Sequence, residues 1–237
     1  DWIKVVFANT GKEMPQTLDF LRDIGERWGV EIIWLERISH RIKNPTGRRK
    51  FWYEIRIVNY ETASRKGEPF ENLIHCRTIL PNPITRYCTV ELKIRCITQF
   101  AAEVGLESPY TAVIGIRADE PRRAAKIHMT VADGQERYCP LYIDGVTAAD
   151  VGKFWEQQNF DLALPNNRGV TDWGNCDLCF LKGQGKKISI IRERPDLADW
   201  WIEQENYMTT HSAQNLAISK DTATFRKDGR NYKEMKD

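Results

Sequence analysis

Val113-Ile114-Gly115-Ile116-Arg117-Ala118-Asp119-Glu120-Pro121-Arg122-Arg123 joins an apolar run to a dense group of charges. Residues 110–116 have the length and β-branched content of a buried strand, and Pro121 suits the first turn of a helix. Charges just past the carboxyl end of a buried strand stand where open α/β sheets bind ligands. Arg117, Arg122 and Arg123 are therefore candidate anion ligands, because a guanidinium fork matches phosphate or sulfate geometry. Asp119 and Glu120 either orient those arginines or bind Mg²⁺. The competing reading is a salt-bridged surface network.

Upstream, residues 3–8 form a second strand candidate, and Asn9-Thr10-Gly11 turns the chain. Residues 14–28 read as a helix, with Leu18, Leu21, Ile24 and Trp28 on one face and Gly29 as its stop. Residues 31–35 are the next strand, so strand, helix and strand predict a right-handed βαβ unit in a parallel sheet. Asn9, Thr10, Gly11 and Lys12 then lie at a strand end, where Gly11 permits close backbone approach to a nucleotide. Residues 40–50 are basic and read as an exposed loop, either a solvated linker or a nucleic-acid or anion contact. Residues 51–60 suit a strand, 61–69 are helical or irregular, and 89–104 are helical. Further on, 138–143 read as extended and Asp133-Gly134 as a turn. Thr147 caps a helix to residue 158 that buries Val151, Phe154 and Trp155. Residues 196–205 form a last helix, and 207–237 a polar, partly ordered tail.

The sharpest constellation is made of cysteines. Cys176 and Cys179 form a C-x-x-C pair inside Gly174-Asn175-Cys176-Asp177-Leu178-Cys179-Phe180, and Gly174 and Asn175 suit the tight turn such a pair needs. Cys88 starts a helix, whose dipole favours a thiolate, and Cys139 precedes Pro140. Four thiolates hold either Zn²⁺ or an iron–sulfur cluster. Cys76 rivals Cys139 as fourth ligand, and Cys96 reads as core. Six unligated thiols are the plain alternative.

Four ordered segments carry a family resemblance. Gly115-Ile116-Arg117-Ala118-Asp119-Glu120 with Arg122 and Arg123 resembles the Gly-Ile-Arg segment of the phosphoadenosine phosphosulfate (PAPS) reductase family, within the PP-loop, adenine nucleotide α-hydrolase-like superfamily. Val5-Val6-Phe7-Ala8-Asn9-Thr10-Gly11-Lys12-Glu13 is similar to its strand ending in Asp-Thr-Gly, with Asn9 where the family has Asp. Arg86-Tyr87-Cys88-Thr89-Val90-Glu91-Leu92-Lys93 resembles its Arg-x-Cys-Thr-x-x-Leu-Lys segment. Pro140-Leu141-Tyr142-Ile143, leading to Asp150-Val151, resembles its Pro-Leu segment. The resemblance implies a doubly wound, mostly parallel α/β sheet over residues 1–206, with a cysteine-bearing lobe at 160–206. It implies an adenine nucleotide (ATP or PAPS-like), a phosphate role for Lys93, and a four-iron (4Fe-4S) cluster, with zinc as the alternative metal. The family's Ser-Gly-Gly-Lys-Asp-Ser loop is not found; either it lies upstream of Asp1 or it has been lost.

The chain has 237 residues, 41% of them hydrophobic and 29% charged, enough for a sizeable core. A net charge of +2 argues against a purely electrostatic nucleic-acid binder, while leaving room for a local basic patch. Six cysteines without an export signal point to free or ligated thiols and a cytoplasmic protein, and no run approaches membrane length. The expected function is sulfur transfer or nucleotide-dependent modification, with a sulfur donor protein as partner and oligomerisation open. True PAPS reduction is not expected, because no cysteine follows Cys179 to act as the nucleophile carried on that family's C-terminal tail. The alternative is a degenerate family member serving as a nucleic-acid-binding or scaffold subunit.

Overall fold

The structure is a computed structural model that describes residues 3–42, 50–106, 109–128, 135–167, 170–214, 223–226 and 229–237. It is a mixed α/β protein of two compact units. Unit 1 comprises Asp1–Ile97 and Trp173–Asp237; unit 2 is Thr98–Asp172. Residues 173–206, most of the expected cysteine-bearing lobe, belong to unit 1.

In unit 1, β1 (Val5–Ala8) pairs in parallel with β2 (Ile32–Ile42), and α1 (Pro15–Trp28) connects them. The expected strand–helix–strand unit is therefore present. Leu18 of α1 is buried with Trp34 and Ala63, and Phe7, Leu21, Ile32 and Tyr60 pack around them. β2 runs seven residues beyond its expected end and pairs antiparallel with β3 (Lys50–Val58). His40, Arg41 and Ile42, expected in a loop, are thus strand residues; residues 43–49 lie outside the described part. The extension is stabilised by α2 (Glu68–Arg77), which bonds to the backbone of β2. The Asn72 Oδ1 accepts from the Ser39 amide at 2.7 Å, and Arg41 donates to the Cys76 carbonyl at 2.8 Å.

The helix expected over 89–104 is three pieces in one run. α3 (Tyr87–Thr89) continues through a π-helical stretch, Val90–Ile94, into α4 (Arg95–Glu103). The division between the units falls within α4. Downstream, α8 (Gln184–Glu193) and α9 (Leu197–Gln214) follow the C-x-x-C segment. The expected tail is corrected: α9 continues to Gln214, and α10 (Tyr232–Lys236) buries Tyr232 and Met235. Phe70, Phe180, Trp200, Trp201, Phe225 and Tyr232 form a chain of ring contacts; Trp201 stacks on Tyr232 at 5.1 Å. Aromatic burial is what holds this C-terminal segment in place.

In unit 2, β4 (Tyr110–Val113) and β5 (Gln135–Tyr138) pair in parallel, joined through α5 (Pro121–His128). Ile116, Ala124 and Cys139 are its buried cluster. Residues 138–143 are not one extended segment: β5 ends at Tyr138, and Pro140 starts the short helix α6 (Pro140–Ile143), as its fixed φ favours. Thr147 caps α7 (Ala148–Glu156) in a full capping box with Asp150. Against expectation, the helix buries Ala148, while Phe154 is 46% exposed. Asp133 and Gly134 lie outside the described residues.

Candidate functional site

The loop after β1 is built by its own side chains. Asn9 is fully buried; its amide donates to Glu36 Oε1 at 2.6 Å and to the Ser64 carbonyl at 2.9 Å, and its Oδ1 accepts from the Gly11 amide at 3.1 Å. Thr10 donates from both its amide and its hydroxyl to Glu13 Oε2, at 3.0 and 2.8 Å. Lys12 is buried and ion-paired to Asp177 at 2.8 Å. Gly11 has φ +77, and a Cβ there would lie 3.0 Å from the Gly67 Cα. The close approach that glycine permits is to the backbone of Gly67. Asn9, Thr10, Gly11 and Lys12 thus spend their polar groups inside unit 1, holding the loop's shape.

That loop grips the C-x-x-C segment. Glu13 and Cys176 form an antiparallel bridge, and the Asp177 amide donates to the Lys12 carbonyl at 2.8 Å. Asp177 also accepts from the Trp201 indole at 2.8 Å. The turn itself is tight: Asn175 adopts φ 62, the Cys179 amide donates to the Cys176 carbonyl at 3.3 Å, and Lys182 closes onto the Gly174 carbonyl at 2.8 Å. The Thr10 hydroxyl lies 3.7 Å from the Cys176 sulfur. Lys93, from the π-helical stretch, sits 3.3 Å from Glu13.

Three of the four expected cysteine ligands share this neighbourhood. Burial pushes the Cys88 thiol up to about 11, with the charge of Cys179 adding to it. Cys88 stands in the first turn of α3, yet burial outweighs the helix dipole, so the thiolate expected there is disfavoured in the protein alone. Burial, then Glu13, raises Cys176 further, and burial raises Cys179. Burial works to lower the Lys93 ammonium, but Glu13 and the charges of Cys176 and Cys179 outweigh it and its pKa is raised. Among the described residues, no three His, Cys, Asp or Glu side chains are arranged as a metal-holding group. Cys139, expected as the fourth ligand, is fully buried against Ile116 and Ala124 in the core of unit 2, where a thiol behaves as a small hydrophobe. Its rival Cys76 donates to the Ser39 carbonyl at 3.2 Å, and Cys96 is fully buried as expected.

The charges after β4 form their own group in unit 2. Arg117 donates from Nε to Asp119 at 3.0 Å, and its amide donates to Glu120 at 3.3 Å. Arg123 pairs with Glu120, and Asp119 also accepts from the Ala148 amide at 3.3 Å. The Arg117 guanidinium holds the Asp119 carboxyl below its usual range; for Glu120 burial opposes, but Arg123 and the Arg117 amide prevail and its pKa is lowered. Arg122 is exposed. Asp119 and Glu120 therefore orient the arginines, which weakens their claim on Mg²⁺.

Sequence reasoning missed the second partners. Glu13 and Asp177 complete the cysteine site, and both stand inside the stretches already singled out. It also missed Glu91, which is buried and receives Arg37 at 2.6 Å, Arg95 at 2.9 Å and Arg77. The π-helical turn carries both Glu91 and Lys93, and such turns concentrate at functional sites. Nothing in the residue pattern announces it.

No family model matches the chain, and no solved structure matches it. Two phage proteins are similar in sequence. An uncharacterized protein of the nin region of Escherichia phage lambda is 29% identical over 185 residues, 78% of this chain and 58% of that protein. An uncharacterized 37.8 kDa protein of Escherichia phage 186 is 32% identical over 143 residues, 51% of this chain and 42% of that protein. The chain spans about half the length of the curated relatives it matches.

Proposed function

We propose that the chain is a PAPS reductase-like, adenine-nucleotide-binding protein of doubly wound architecture, acting in sulfur transfer or nucleotide-dependent modification beside an iron–sulfur cluster. The observation that carries this reading is the convergence of Cys88, Cys176 and Cys179 beside Lys93 and Glu13 at the carboxyl end of β1. The donor set suits a cluster in type: three thiols from two distant segments, a turn that presents two of them, and Lys93 to balance negative charge. A bound metal's charge would offset the burial that now keeps these thiols protonated. A four-iron cluster would supply electron transfer or a Lewis-acidic iron at that point. Lys93 would hold an anionic group close by, and Asp177 with Lys12 would fix the turn. Within unit 2, the exposed Arg122 together with Arg117 and Arg123, which Asp119 and Glu120 hold in place, is the proposed anion-binding group.

The test is the visible absorption spectrum of anaerobically purified protein with iron, sulfide and zinc analysis. Iron and sulfide in the parent, lost in Cys179→Ser and retained in Cys96→Ala, support the cluster. Zinc without sulfide replaces it with a structural metal site. A metal-free parent overturns it. Calorimetry with ATP on the same protein checks the nucleotide, and equal affinity in parent and Arg117→Ala removes Arg117 from the reading.

A further inference from the structure

The sequence that runs from the end of β2 through β3 concentrates positive charge that the rest of the chain does not carry. Residues 41–56 hold Arg41, Lys43, Arg48, Arg49, Lys50 and Arg56 against the single acid Glu54, a net charge of +5. The whole chain is +2, so all remaining residues together are −3. A basic run of this density in the sequence that joins two paired strands is an electrostatic signal for a polyanion partner.

The β2–β3 ribbon presents an aromatic platform. His40 and Trp52 are opposed in the antiparallel register, with ring centroids 3.9 Å apart and planes 10° from parallel. Trp52 is nevertheless 50% exposed. Glu54 receives His40 at 3.0 Å and Arg56 at 3.1 Å, which holds the imidazole and leaves the Arg56 side chain 50% exposed beside the stacked pair. Alternation along β2 puts His40 on the face of Trp34, whereas Arg41 points to the opposite face and to α2. A burial role would cover the indole, and a solvated linker would have no use for it.

We infer that this ribbon is a binding surface for single-stranded nucleic acid, with bases stacking on the His40–Trp52 pair and Arg56 meeting the backbone. A stacking platform beside positive charge is how proteins hold unpaired strands without reading sequence. Duplex DNA keeps its base faces stacked inside and offers the indole nothing comparable. The inference stands on the hairpin alone and does not depend on the cluster or the nucleotide.

Fluorescence anisotropy of the full chain with labelled oligo(dT), oligo(U) and a DNA duplex of equal length tests it. The parent should bind the single strands more tightly than the duplex, and added salt should weaken binding. Trp52→Ala should weaken single-strand binding about tenfold, while Trp28→Ala, an exposed tryptophan on α1, should not. Arg56→Ala should reduce the log–log salt slope by about 0.7. Preference between oligo(dT) and oligo(U) assigns the strand as DNA or RNA. Equal affinity of parent and Trp52→Ala, tighter binding to the duplex, or no binding to any of the three overturns the proposal. Cys179→Ser should bind as the parent does, which separates this outcome from that of the cluster experiment.

Discussion

Gly67 has φ +91, and a Cβ there would lie 2.6 Å from the Trp200 indole nitrogen and 2.8 Å from the Lys12 side chain. Gly67→Ala should therefore destabilise the protein by about 1–3 kcal/mol through backbone strain, with a comparable overpacking cost. Chemical denaturation followed by tryptophan fluorescence checks it, and an unchanged midpoint contradicts the close approach. Gly11 was identifiable from sequence as a position of close contact, but its partner was not. Gly67 lies in a polar stretch with no pattern of its own, and only the folded chain brings the two together. The same holds for Asn9 and Lys12: their positions at a strand end were readable, whereas Glu36, Ser64 and Asp177, which occupy them, stand far along the sequence.

Among the elements, β1 and α1 were readable because one is a short apolar run and the other a one-faced helix; β4 was readable as a strand, but it ends at Val113 instead of Ile116 and is not buried, Val113 being 68% exposed. The outer half of β2 was not readable, because Glu36 and Arg37 interrupt its apolar pattern. Both are buried, and both are paired with remote partners: Glu36 with Asn9 and Ser64, Arg37 with Glu91. Charges of this kind make a strand look like a loop. α2 did carry a signal that went unread, Pro69 at its start with Phe70, Leu73 and Ile74 at helical spacing. The π-helical stretch binds β2 through Glu91, so Glu91→Ala strips the partner from a buried Arg37. Its expected cost is about 3–5 kcal/mol. Urea unfolding of Glu91→Ala beside Glu91→Gln measures it, and a loss below about 1 kcal/mol would reduce the pair to surface electrostatics.

At the scale of the molecule, composition misled most at the C-terminus. The stretch after Tyr207 is polar overall, and Phe225, Tyr232 and Met235 are too sparse to form a periodic signal. Yet all three are buried, and Glu205 accepts from the Phe225 and Tyr232 amides at 3.2 and 3.0 Å. Burial raises the Glu205 pKa above its ordinary 4.5, against those hydrogen bonds. A raised folded pKa means the folded state binds the proton more tightly than the unfolded chain does. The stability this gives is present below pH 4.5 and is lost as pH rises through the folded value. Glu205→Gln cannot titrate, so the parent should lose thermal stability relative to it as pH rises through that window. Parallel melting curves across pH decide the matter, and a pH-independent difference between them removes Glu205 as the titrating group.

Unit 1 is discontinuous in sequence, and its two parts are stitched by Lys12 to Asp177, Glu13 to Cys176, and the Phe70 ring against Trp201 at 5.9 Å. During synthesis the loop after β1 must wait for its partners until residue 177 has followed, and Phe70 until residue 201 has. At about 5–20 residues per second that delay is on the order of ten seconds or more. Throughout it Lys12 and Glu13 are without Asp177 and Cys176. The continuous segment Thr98–Asp172 has no such wait, so the order of folding along this chain runs against the order of translation.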